Sequence, residues 1–309
     1  MRTAYITHPD CRDHDTGPGH PENASRLYAI EDQFVASGLE NVLRYVDAPL
    51  VTDEQLLRAH PRTYVDAIRS AIPESGYARL DPDTVVCPKS LKAAERAAGA
   101  VVAAVDLVMS GDMDSAFCGV RPPGHHAERS QSMGFCMFNN IAVGAAHALD
   151  AHGLKRVAIV DFDVHHGNGT EDIFDDENRV LFCSTFEHPF YPFTPLRENT
   201  ANRISVPMDA TAGGDEFREA VSKHWLPALQ AFQPELVFVS AGFDAHRDDE
   251  MSHVTLTDAD FKWVSERIVE VANESASGRI ISVLEGGYEL KSLARCVEAH
   301  VRVIMGIHQ

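Results

Sequence analysis

The chain has 309 residues, 44% of them hydrophobic, with 27 basic against 46 acidic side chains and a formal net charge of −19. This length and apolar content suit one large α/β domain with a sizeable core, and no Pro/Gly/Ser-rich linker, charge block or repeat divides residues 1–309. The charge argues against a nucleic-acid groove, which needs clustered Lys and Arg; it fits either a field that attracts cationic substrates or a solvated acidic surface.

In chain order, apolar runs and i, i+3/i+4 patterns predict a strand at Ala4–Ile6, a helix at Lys92–Met109 and a strand at Ala116–Val120. A helix at Ile141–His152 and strands at Val157–Val160 and Val180–Cys183 follow. Next come a helix at Asp215–Ala231, a strand at Leu236–Ser240 and a helix at Asp258–Ser275 with Thr257 or Asp258 as its cap. A strand at Ile280–Leu284 and a helix at Leu290–Ile307 close the list. The alternation implies a parallel sheet with helices on both faces. No apolar run approaches the ~20 residues of a membrane span. Met1-Arg2-Thr3-Ala4-Tyr5-Ile6 lacks a signal-peptide core, so a cytoplasmic protein without a membrane partner is expected. Cys11, Cys87, Cys118, Cys136, Cys183 and Cys296 form no CxxC pair and read as reduced thiols.

The residues after the central strands carry the chemistry. Asp161-Phe162-Asp163-Val164-His165-His166-Gly167-Asn168-Gly169 follows Val157–Val160. If the chain stays extended there, Asp161, Asp163 and His165 project together, as the ligands of a divalent metal would. Arg121-Pro122-Pro123-Gly124-His125-His126 follows another strand, Ser184 a third, Ala241-Gly242-Phe243-Asp244 a fourth, and Glu285-Gly286-Gly287-Tyr288 a fifth. Ligands of open α/β sheets bind at the carboxyl ends of the strands, so these groups should share one rim.

Asp163, His165 and Asp244 are the candidate metal ligands, a set compatible with zinc that leaves a position for water and substrate. A lone aspartate there would more simply cap a helix. One of His125 and His126 could act as general base toward a metal-bound water, with Asp161 and Asn168 orienting the rings. Tyr288 could reach a developing oxyanion, or be an ordinary half-buried tyrosine. Gly134-Phe135-Cys136 and Phe190-Tyr191-Pro192 put aromatics on loops that could wall an apolar channel. Gly213-Gly214 makes no phosphate loop, and no GxGxxG or P-loop motif occurs.

Arg121 through Glu128, Gly134 through Asn140, Asp161 through Thr170, Ser240 through Ala245 and Leu284 through Tyr288 together resemble the histone deacetylase superfamily. The resemblance begins at Gly19-His20-Pro21-Glu22 and Arg26 and spans nearly the whole chain; Asn168 and Glu285-Gly286-Gly287-Tyr288 make it most similar to the class II branch and its bacterial relatives. It implies the arginase-like fold, a mainly parallel eight-stranded sheet in one domain. It also implies zinc on Asp163, His165 and Asp244, His126 as base and then acid, and His125 paired with Asp161 beside the tetrahedral intermediate. Tyr288 would polarise the acetyl carbonyl. Phe135, beside Gly134, and Tyr191, in place of a usual phenylalanine, would flank the acyl-lysine.

Potassium is implied at two structural sites. One would use main-chain oxygens of Asp161, Asp163 and His165 with Ser184, the other those of Phe174, Glu177, Val180 and Asn202. The implied reaction is hydrolysis of an N6-acetyl-lysine amide in a protein or peptide to acetate and a free amine. Polyamine-selective relatives carry a glutamate where ungapped counting places Met251, although Glu250 is adjacent. Small acetylated amines are therefore the alternative substrates. A weak acyl-lysine binding module is a further reading, and a two-metal manganese ureohydrolase would want more clustered carboxylates. An acceptor for the substrate backbone falls at Asp81 or Asp83, and a homo-oligomer is compatible with the chain.

Overall fold

Residues 2–307 are described by the computed structural model. Met1 of the N-terminal segment and the last two residues of the expected 1–309 domain lie outside the described residues. Among the described residues ten strands occur in chain order: β1 (Thr3–Thr7), β2 (Arg44–Asp47), β3 (Ala78–Arg79), β4 (Val85–Val86), β5 (Ser115–Cys118), β6 (Val157–Asp161), β7 (Val180–Glu187), β8 (Arg203–Met208), β9 (Leu236–Ala241) and β10 (Ile280–Leu284). Eight of them form one sheet in the order β2-β1-β5-β10-β9-β6-β7-β8, every neighbouring pair parallel; β3 and β4 form a small antiparallel ribbon. All residues of β5, β6, β7, β9 and β10 are buried, which requires cover on both faces and accounts for their mostly apolar sequences. All six cysteines are free and buried. No helix among the described residues is long and apolar enough to cross a membrane.

Several expected boundaries move. β5 stops at Cys118 rather than Val120, its last rung being Gly119 N–H to Ile6 O at 3.0 Å. β7 runs on to Glu187, so Ser184 lies within the strand and not after it. The helix expected over Asp215–Ala231 is three pieces, Gly214–Ala220, a π-helical turn Val221–Trp225, and Leu226–Phe232. Pro227 has no N–H to give to the carbonyl of Lys223, which opens the ladder there. The last helix ends at Ile304. Asp258 is the first helical residue, and Thr257 caps it by donating its N–H and hydroxyl to Asp260 at 2.9 and 2.7 Å.

Candidate active site

Register brings the strand ends level. Asp161 pairs with Ser184 on one side and Ser240 on the other, and Leu284 pairs with Ala241. Beyond Asp161 the backbone bends rather than staying extended. Asp161 Oδ1 accepts Asp163 N–H at 3.1 Å, and Asp163 Oδ1 accepts His165 N–H at 2.9 Å. Phe162 meets Phe243 and Phe261 at ring-centroid distances of 5.7 and 5.9 Å beneath the loop. This buried anchor fixes the register of the two aspartates on either side of it.

Asp163 Oδ1 and Asp244 Oδ2 both lie 3.1 Å from His165 Nδ1, and all three residues are buried. Burial opposes charge on His165, yet the Asp244 and Asp163 carboxylates outweigh it and raise its pKa to about 10. That field favours a cation at Nδ1, whether a proton or a metal ion. Gly286 completes the cradle: a Cβ there would stand 2.0 Å from Asp244 Oδ2 and 2.6 Å from Asp163 Oδ2. The donor set, its burial and this clearance fit a divalent ion.

Two other groups of possible ligands come together among the described residues, Asp106/His147/His152 and His246/Asp258/Cys296. In each, a histidine Nδ1 already accepts a hydrogen bond, from Arg58 Nη1 at 2.7 Å on His147 and from Asp248 N–H at 3.1 Å on His246. The other ring nitrogen, Nε2, faces an aspartate in each, Asp106 at 2.9 Å and Asp258 at 3.5 Å. Both groups are closed by their own hydrogen bonds.

His125 and His126 lie 4.0 Å apart between ring centroids but have opposite partners. His125 Nδ1 is 3.0 Å from Asp161 Oδ2, and its Nε2 is 3.8 Å from Asp163 Oδ2. Burial opposes its charge, but the Asp163 and Asp161 carboxylates hold its pKa up at about 10. His126 Nδ1 instead meets the neutral amide of Asn168 at 2.8 Å. Burial, followed by the neighbouring His125 and His165, pushes the His126 pKa well below its ordinary value. The two imidazoles thus face opposite surroundings, carboxylates at His125 and a neutral amide at His126.

A cavity of about 360 Å³ opens onto His125, His126, His165 and Tyr288. Phe135 stands 6.1 Å from Tyr288, while Tyr191 stands 5.2 Å from His126, both edge-on. Phe190 stacks on His165 at 5.6 Å and joins the wall. Gly134, at φ 58°, lets its loop lie on His126; a Cβ would meet the ring at 2.3 Å. Asp83 lines the mouth and accepts Gly134 N–H at 3.1 Å, whereas Asp81 turns back on its own loop to accept Asp83 and Thr84 N–H. Met251 and Glu250 both line the cavity.

The sequence reading named Glu285 and Arg26 within motifs but not the contacts by which they hold these groups, and it did not single out Asp249. The Glu285 carboxylate accepts Gly124 and His125 N–H at 2.7 and 3.1 Å, fixing the histidine loop, and burial raises its pKa to about 7. Arg26 donates to Gly287 O at 2.7 Å and to Glu285 O, and its guanidinium lies 5.0 Å from the Tyr288 ring. Asp249 holds the backbone of Tyr288 from the other side. A buried charge just after a strand was the available signal for Glu285. Asp249, inside Asp248-Asp249-Glu250, gave none.

The two sets of expected potassium ligands differ. Ser184 Oγ is buried without a hydrogen-bond partner, an orphaned oxygen that suits a cation. In the second set, Phe174 O and Glu177 O already accept Glu177 and Val180 N–H at 3.0 Å each, and Asn202 O accepts Phe182 N–H at 2.9 Å.

The strand ends of one parallel sheet thus bring buried histidines and carboxylates and a tyrosine together around an apolar cavity. Sequence comparison makes this specific. A histone deacetylase domain model matches residues 20–304, and the chain belongs to the histone deacetylase family. It is similar to an uncharacterized protein of Synechocystis sp., 38% identical over 290 residues that cover 92% of this chain and 93% of the relative. The histone deacetylase-like amidohydrolase of Pseudomonas aeruginosa is 33% identical over 330 residues, covering 99% of this chain and 87% of that protein. Among solved structures, the crystal structure of the HDA15 HD domain superposes with a TM-score of 0.93 at 32% identity, covering 99% of this chain and 90% of that one.

Proposed function

We propose that the chain is a single catalytic domain that acts as a zinc-dependent deacetylase of N6-acetyl-lysine in proteins or peptides, in the cytoplasm and without nucleic-acid or membrane partners. The observation that carries this reading is the unequal histidine pair beside Asp163, His165 and Asp244 at the floor of an aromatic-walled cavity. Those three residues would hold zinc, which when bound supplies Lewis acidity to the amide carbonyl and to water. Ser184 supports a structural potassium ion beside Asp161; for the second, at Phe174 and Val180, only the family resemblance speaks.

His126 Nε2 takes a proton from the attacking water while Nδ1–H stays on Asn168. His125, kept cationic by Asp161, stabilises negative charge as the tetrahedral carbon forms. The Tyr288 hydroxyl donates to the oxyanion, and burial, which raises its pKa well above the ordinary value, keeps that proton in place. The proton on His126 then passes to the departing nitrogen, the C–N bond breaks, and acetate and amine leave. Phe135 and Tyr191 would flank the apolar lysine stem, with Asp83 accepting a substrate N–H at the mouth and Met251 offering an apolar rim.

Glu250 lines the same cavity and favours a second reading, deacetylation of small acetylated amines whose distal cation would meet it. Comparing kcat/KM for an acetyl-lysine peptide with that for acetylputrescine or acetylspermidine on zinc-loaded enzyme separates the two. A strong preference for the small amine overturns the peptide assignment. Tyr288→Phe should lower turnover about 10²–10³-fold and His126→Ala about 10²–10⁴-fold in folded protein; full activity in either overturns its assigned role.

A further inference from the structure

Between Asp248 and Glu250, both exposed, Asp249 is 6% exposed. Its Oδ2 accepts Tyr288 N–H at 2.6 Å and Glu289 N–H at 3.0 Å, and its Oδ1 accepts Met251 N–H at 3.0 Å. Tyr288 and Met251 both line the cavity, the first beside the histidines and the second at its rim. One buried carboxylate therefore holds the backbone of both. The loop that carries it is itself fixed: Asp249 N–H donates to His246 O at 2.8 Å, and Ser252 Oγ donates to Asp244 O at 2.8 Å.

We propose that Asp249 is a positioning residue that couples the channel rim to Tyr288, so that the register of the rim loop sets where the tyrosine hydroxyl stands. The inference rests on Tyr288 serving as the oxyanion donor. The charge-assisted bonds to residues 288 and 289 fix the Tyr288 Cα from one side, and Arg26 fixes the Gly287 carbonyl from the other. A phenol at the end of a long side chain magnifies any backbone displacement, and catalytic donors lose much of their effect when misplaced by about 1 Å. In Asp249→Asn the amide keeps one acceptor oxygen and turns an N–H₂ toward a backbone N–H. At least one bond is lost and the segment shifts.

The test is a double-mutant cycle in zinc-loaded protein, with a trifluoroacetyl-lysine peptide whose activated carbonyl keeps slow variants measurable. Asp249→Asn should lower kcat about 10- to 100-fold with KM little changed. In the Tyr288→Phe background the same change should cost less than about threefold, because the hydroxyl it positions is gone. Equal losses in both backgrounds, or no loss with Tyr288 intact, overturn the proposal. Should Asp249→Asn not fold, Asp249→Ser, whose hydroxyl oxygen can still accept a backbone N–H, carries the same cycle. Full activity of Tyr288→Phe alone refutes the oxyanion role and not the Asp249 contacts, so the two failures are distinguishable.

Discussion

Asn168 can meet His126 only as an acceptor. Its Nδ2 donates to Glu128 Oε1 at 2.8 Å, which turns Oδ1 toward His126 Nδ1, also at 2.8 Å. The imidazole proton is thereby held on Nδ1, and Nε2 carries the lone pair. A neutral amide does this without favouring imidazolium, as a carboxylate would. Asn168→Asp should therefore raise the His126 pKa and move the acid limb of the kcat/KM profile to higher pH. An unmoved limb would show that Asn168 does not set the protonation of the base.

Gly286→Ala tests the metal cradle. Its methyl would stand 2.0 Å from Asp244 Oδ2, so the carboxylate must move. Zinc affinity should fall by about 10- to 100-fold, the scale for disturbed ligand support, while the circular dichroism spectrum is unchanged. Metal content after dialysis, measured by mass spectrometry, checks this.

Phe162→Ala should cost about 3–5 kcal/mol in urea unfolding, as for other large core aromatics. Because the ring stands between Asp161 and Asp163, zinc retention should fall in the same variant while the protein is still folded. Normal zinc retention would mean that the aspartates do not depend on this anchor.

Buried neutral histidines predict acid sensitivity. His300 is hydrogen-bonded to Ser265 and Ser282 at 2.7 and 2.8 Å, and burial lowers its pKa to about 3; burial lowers that of His60 to about 4. A depressed histidine pKa favours the fold above the unfolded value of about 6.5. That stability is lost as pH falls from about 6.5 toward the folded values, because only the unfolded chain takes up the proton. Each group should contribute a slope of up to about 1.4 kcal/mol per pH unit in that window. His300→Gln, which retains hydrogen bonds but does not titrate, should flatten the slope between pH 6.5 and 4.5; an identical slope would remove His300 from the effect.

The strands buried on both faces were legible because short apolar runs dominate them, and the residues that follow several of them line one cavity. The sheet edges were not. β2 is largely exposed, with Arg44 and Asp47 at its ends, and β8 contains Pro207, which an edge strand tolerates and a central strand does not. Ser184 was placed one element too late because β7 continues through the polar pair Ser184-Thr185. Asp249 was invisible, and Arg26 was quoted without its contact, for another reason: their partners lie 39 and 261 residues away, at Tyr288 and Gly287. Asp83 could be separated from Asp81 only once the ribbon had folded against the Gly134 loop.

The all-parallel sheet has a consequence for how the site comes into being. Parallel neighbours cannot be joined by tight turns, so each loop on the rim is separated from the next by a full crossover. Asp163 and Asp244 are 81 positions apart, and the tyrosine at 288 follows the last strand. No early folding fragment can contain the whole ligand set, and such non-local contacts form slowly. If zinc binds as proposed, its capture should therefore be a late event in maturation that reports the completed sheet and, by mass action, holds it closed.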